Sequence, residues 1–72
     1  MRFKTMISAM PNNVRYAVED RTNINKGFCV VKGHISKAIV ESYATYSEAK
    51  SHWESIVIPL KREFNAKIRA AA

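Results

Sequence analysis

His34, His52, Cys29, Glu19, Asp20 and Glu41 are the side chains of this sequence best suited to move a proton or attack an electrophile. Catalysis needs two or three such groups converging within hydrogen-bond reach. Here they occur singly, and no spacing forces any two of them into one site. Cys29 with two histidines falls short of the four ligands of a structural zinc site, and neither C-x-x-C nor H-x-x-x-H spacing occurs. The two glycines, Gly27 and Gly33, do not make a phosphate-cradling loop. The expectation is a protein without catalytic residues, metal or cofactor, which acts by binding.

The charge says more. Twelve Lys and Arg against six Asp and Glu give a formal +6 and a pI near 9.8. The cations are grouped. Residues 21 to 40 carry Arg21, Lys26, Lys32 and Lys37 and no acid, and the C-terminal stretch carries Lys61, Arg62, Lys67 and Arg69 against Glu63 alone. Affinity for a nucleic-acid backbone comes from Lys and Arg gathered on one surface, so this segregation points to DNA or RNA as a partner. Aromatic rings can add stacking on unpaired bases if they are exposed. Tyr43 and Tyr46 are candidates, whereas the spacing of Phe28 and Trp53 marks them as core.

Seventy-two residues make one small domain with a thin core, too short for a two-lobed enzyme, a Rossmann fold or a barrel. With 47% hydrophobic and 25% charged residues the composition is that of a globular chain. A lone cysteine cannot form an internal disulfide, which fits a reducing compartment. No secretory leader is recognisable, and Ile56-Val57-Ile58-Pro59-Leu60 is far shorter than the roughly 20 residues of a membrane span. A soluble, cytoplasmic protein is expected.

The elements that must position these residues follow from periodicity. Phe3, Thr5 and Ile7 alternate with Arg2, Lys4 and Met6, as on an edge strand. Pro11-Asn12-Asn13 reads as a turn, because proline fixes φ and asparagine tolerates left-handed geometry. In residues 14–19, Val14, Tyr16 and Val18 face inward with Arg15 and Glu19 outward. Asp20 to Gly27 is a polar loop. Residues 28–32 are β-branched and aromatic, and Gly33-His34 offers a tight turn into a strand over 36–44. There Ile39, Glu41 and Tyr43 lie on one face, and Ala38, Val40, Ser42 and Ala44 on the other.

At Thr45 the period changes. Thr45-Tyr46-Ser47-Glu48 has the form of a capping box, in which the threonine hydroxyl accepts a first-turn N–H and Glu48 reaches back to the Thr45 N–H. Ala49, Trp53, Ile56 and Leu60 then form a helical stripe. Pro59 kinks this helix, or ends it near Val57 and starts another at Pro59. The fold class is α+β: a three-stranded, or four-stranded, antiparallel sheet packed by a C-terminal helix kinked or broken at Pro59. The hairpin is apolar on both faces, and one helix covers only one of them. The second cover is the C-terminal piece, the N-terminal segment or another subunit. Leu60, Phe64 and Ile68 form the stripe through which a homodimer, or another protein partner, would pack.

The stretch GFCVVKGHISKAIVESYATYSEAKSHW resembles the hairpin-then-helix pattern of AP2-type and integrase arm-binding domains. Its T-x-x-E-A entry falls on Thr45, Glu48 and Ala49, with Trp53 four residues on. That family reads the DNA major groove with its sheet, so the resemblance implies contacts from Arg15, Lys32, Lys37 and Tyr43. In size and style the chain is also similar to the short proteins that bacteriophages encode to disable host functions. Two expectations follow: a small regulatory nucleic-acid-binding protein, or a phage-encoded inhibitor that blocks a host enzyme or defence protein.

Overall fold

The computed structural model describes residues 3–71. Four strands, β1 (Lys4–Ala9), β2 (Tyr16–Asp20), β3 (Phe28–Lys32) and β4 (Ala38–Tyr43), pair antiparallel in chain order, and a single helix, α1 (Tyr46–Ala71), follows. The fold is the expected α+β class, and the first segment is a full edge strand.

The turns form where residue chemistry allows them. Asn12 and Asn13 adopt positive φ after Pro11, a conformation that asparagine accepts more readily than other L-residues. The β3–β4 connection runs from Gly33 to Lys37, longer than a two-residue turn, and β4 begins at Ala38. Gly33 has φ +112, and a Cβ there would stand 2.6 Å from the Ser36 carbonyl oxygen. Val14 lies before β2 and is exposed, outside the strand expected to begin with it.

Two bulges reset the faces. The β1–β2 register shifts between Thr5 and Ile7, so these two residues lie on opposite faces. Arg2, read as a neighbour on the other side, lies outside the described residues. The β3–β4 register shifts between Val30 and Val31, which places Ile39 opposite Val31 and Glu41 opposite Val30. Ile39 and Glu41 are therefore on opposite faces too. A bulge inserts one residue and inverts the alternation beyond it, so strict period-two reading fails there.

The main core lies between sheet and helix. Val18 and Val30 meet Ala49, Trp53 and Val57, with Ile7, Tyr16, Phe28, Tyr43, Tyr46 and Ile56 around them. The Trp53 ring is 7% exposed and its Nε1–H donates to the Tyr16 carbonyl at 2.9 Å, which ties α1 to β2. At the helix start the Thr45 hydroxyl accepts the Glu48 N–H at 3.3 Å, as a cap should. The Glu48 carboxylate accepts a hydrogen bond from the Thr45 hydroxyl at 2.9 Å instead of one from the Thr45 N–H.

Helix α1 runs through Pro59 without a break. Pro59 and Ser55 are both on the exposed side, so the Ser55 carbonyl that loses its intrahelical donor can bond water instead. The 26-residue helix is about 39 Å long, roughly twice the length of a strand. Its second half outruns the sheet, and every residue from 61 to 70 is exposed.

Candidate functional site

The face of the sheet away from α1 has no helix or strand across it. Its rows are Thr5, Glu19, Cys29 and Ser42, then Ser8, Ala17, Val31 and Ile39. Yet Ala17, Glu19, Cys29 and Val31 are fully buried. Long polar side chains bond across this face with their heads. Arg15 donates from Nη2 to the Thr5 Oγ1 at 3.3 Å and from Nη1 to the Gly33 carbonyl at 3.4 Å. Arg21 donates from Nε and Nη2 to the Glu19 Oε1 at 3.1 and 2.7 Å, and Lys37 donates to the Glu19 Oε2 at 2.7 Å. The Arg21 guanidinium also stacks over the Phe3 ring, 4.5 Å from its centroid.

Glu19 thus holds two cations, one on each carboxylate oxygen. Burial pushes its carboxyl up, but the hydrogen bonds and charges of Lys37 and Arg21 outweigh that and hold it below the ordinary carboxylate value. Glu19 faces away from the helix, as its alternation predicts, and is fully buried there with its partners. Its signal was present in the sequence, since Arg15, Ala17, Glu19 and Arg21 share one face at period two.

The structure divides the candidate cations into groups. Arg15, Arg21 and Lys37 share the helix-free face. Lys26 lies in the β2–β3 loop, where its carbonyl accepts the Cys29 thiol at 3.3 Å. Lys32 and Tyr43 belong to the opposite face. Lys32 stands over the Tyr16 ring at 5.9 Å, and the Tyr43 hydroxyl bonds the His52 Nδ1 at 2.8 Å. The four residues implied by the AP2-type resemblance therefore do not share a surface: Arg15 and Lys37 are on one side, Lys32 and Tyr43 on the other. Lys61, Arg62, Lys67 and Arg69 are on the overhanging part of α1, where Lys67 pairs with Glu63 at 3.7 Å. Leu60 is half-buried, while Phe64 is 38% and Ile68 52% exposed.

The acids are sorted in the same way. Asp20 and Glu41 lie in the rows that face α1, and Glu48 and Glu54 are on the first half of α1. Among the described residues of the strands, Glu19 is the one acid on the helix-free face. A second feature, unforeseen from spacing, is an open groove lined by Tyr43, Ser47, Glu48, Ser51, His52 and Ser55. Its Tyr43–His52 contact is edge-on and hydrogen-bonded, a structural tie between β4 and α1. His34 is exposed in the β3–β4 turn. Among the described residues no group of three His, Cys, Asp or Glu could hold a metal, and no helix is long and apolar enough to cross a membrane. No protein-family model, curated protein or solved structure matches the chain.

Proposed function

We propose that this protein is a small regulatory module that binds nucleic acid without catalysis, through the phosphate backbone. The observation that carries this reading is the sorting of charge by surface. Arg15, Arg21 and Lys37 are pinned across a sheet face whose one acid is buried, and Lys61, Arg62 and Arg69 stand on a helix end with no ion pair among the described residues. Phosphates are met by cations gathered on these surfaces; of the acids that would repel them, Asp20 and Glu41 lie on the other side of the sheet, Glu48 and Glu54 on the first half of α1, and Glu63 alone stands among the C-terminal cations, paired with Lys67. Backbone contact of this kind is steeply salt-dependent. Anisotropy titration of a labelled duplex at several salt concentrations should give a log–log slope of about −0.9 per phosphate neutralised. A slope near zero removes the reading.

The second reading is a protein partner, such as a host enzyme or defence protein if the chain is phage-encoded. The exposed Phe64 and Ile68 on the free end of α1 favour it. Binding to such a partner through that stripe would tolerate salt.

A further inference from the structure

The geometry points to a phosphodiester seat formed by Arg21 and Lys37, with the buried Glu19 as the residue that positions both cations. This deepens the nucleic-acid reading and rests on it. A side chain as long as lysine or arginine loses much rotamer freedom when it grips a phosphate. Here that loss is taken on folding. Glu19 Oε1 holds Arg21 and Glu19 Oε2 holds Lys37, so a single carboxylate bridges the two heads. Neither head is exhausted. Lys37 spends one donor on Glu19 and its side chain is 35% exposed. Arg21, with a side chain 13% exposed, spends Nε and Nη2 on one oxygen and keeps Nη1 as its further donor, and Phe3 backs its plane. Arg15, tied to Thr5 on the same face, extends the line of cations towards Gly33.

Glu19 is an acid in a phosphate-binding surface, and by charge alone its removal should tighten binding. As the positioning residue its removal should loosen it, because Arg21 and Lys37 are released. Glu19→Gln is therefore the decisive variant, measured by duplex anisotropy across salt on protein whose circular dichroism shows the native fold. The expected result is about tenfold weaker binding than wild type, with a shallower salt slope. Equal or tighter binding by Glu19→Gln overturns the seat while leaving the nucleic-acid reading intact. Absence of salt-dependent binding by the wild type to duplex DNA, duplex RNA and single strands alike overturns both.

If Glu19→Gln fails to fold, a charge-matched pair decides. Lys37→Gln and Lys4→Gln each remove one positive charge from the sheet, but Lys4 lies in the row that faces α1. The seat predicts about tenfold loss for Lys37→Gln and less than about twofold for Lys4→Gln. Equal losses mean that net charge alone is at work and overturn the seat.

Discussion

The two faces of the sheet are built from the same strands and reach the same dryness by different chemistry. On one face Val18 and Val30 are covered by an apolar helix stripe. On the other, Ala17, Cys29 and Val31 are buried beside a carboxylate paired with Arg21 and Lys37, with Arg15 bonded across to Thr5. Small side chains make the second solution workable, because three charged side chains can span a surface that large ones would push apart. The first face is closed by the hydrophobic effect and gives stability. The second is closed by directional, charge-assisted bonds, which contribute less to stability but fix cations in place. Position in the sheet, rather than burial, separates the surface closed by apolar packing from the one closed by ion pairs.

The largest expected effect is on the helix-covered face. Trp53→Ala deletes the biggest buried side chain between sheet and helix and the bond to the Tyr16 carbonyl. It should cost about 3–5 kcal/mol, read from the urea midpoint by circular dichroism. An unchanged midpoint would mean that the helix does not carry the core.

The helix-free face should respond less, and in a pH-dependent way. Glu19→Gln loses charge-assisted bonds to two partly accessible cations that can turn to water, so a cost of about 2 kcal/mol near neutral pH is expected. The folded Glu19 carboxyl lies below its ordinary value, so its contribution is full above the unfolded value of about 4.3 and is lost as pH falls through the lower, folded one. The difference in urea midpoint between wild type and Glu19→Gln should therefore shrink below about pH 4. Asp20, held low by the Thr22 hydroxyl and N–H, titrates in the same direction but is present in both proteins. A difference that stays constant to strong acid would mean that the carboxylate–cation bonds do not form.

Much of this contrast was legible in the sequence. The alternation of residues 14–19 and 28–32 and the stripe through Ala49 and Trp53 identify the covered face, because apolar periodicity reports burial against another element. The bulges beside Thr5 and Val31 were not legible, since an inserted residue leaves no mark in composition and inverts the faces beyond it. The Glu19 cluster was half-legible. Period two puts Arg15, Glu19 and Arg21 together, but Lys37 joins them from two strands away, and only tertiary pairing shows that. Pro59 was read as a kink or a break; the helix continues through it, with the carbonyl it frees, that of Ser55, on the exposed side.

The smallest effect is expected on the overhanging end of α1, whose two halves differ as the two faces of the sheet do. Val57 is 1% exposed and Ile68 52%, although both lie on the same stripe eleven residues apart. Val57→Ala removes methyl groups from a closed core and should cost about 1–3 kcal/mol. Ile68→Asp replaces a half-exposed residue on the overhanging part of α1, so in a monomer it should shift stability by no more than about 0.5 kcal/mol. The expected homodimer through Leu60, Phe64 and Ile68 makes the opposite demand. A second copy on that stripe would bury Ile68, and an aspartate there would lower the melting temperature of concentrated protein much more than that of dilute protein. Melting curves of wild type and Ile68→Asp at two concentrations, with sedimentation of both, separate the outcomes. A wild type that sediments as a monomer and melts independently of concentration leaves the helix end free for another partner; a concentration-dependent loss in Ile68→Asp assigns the stripe to a second copy of this chain.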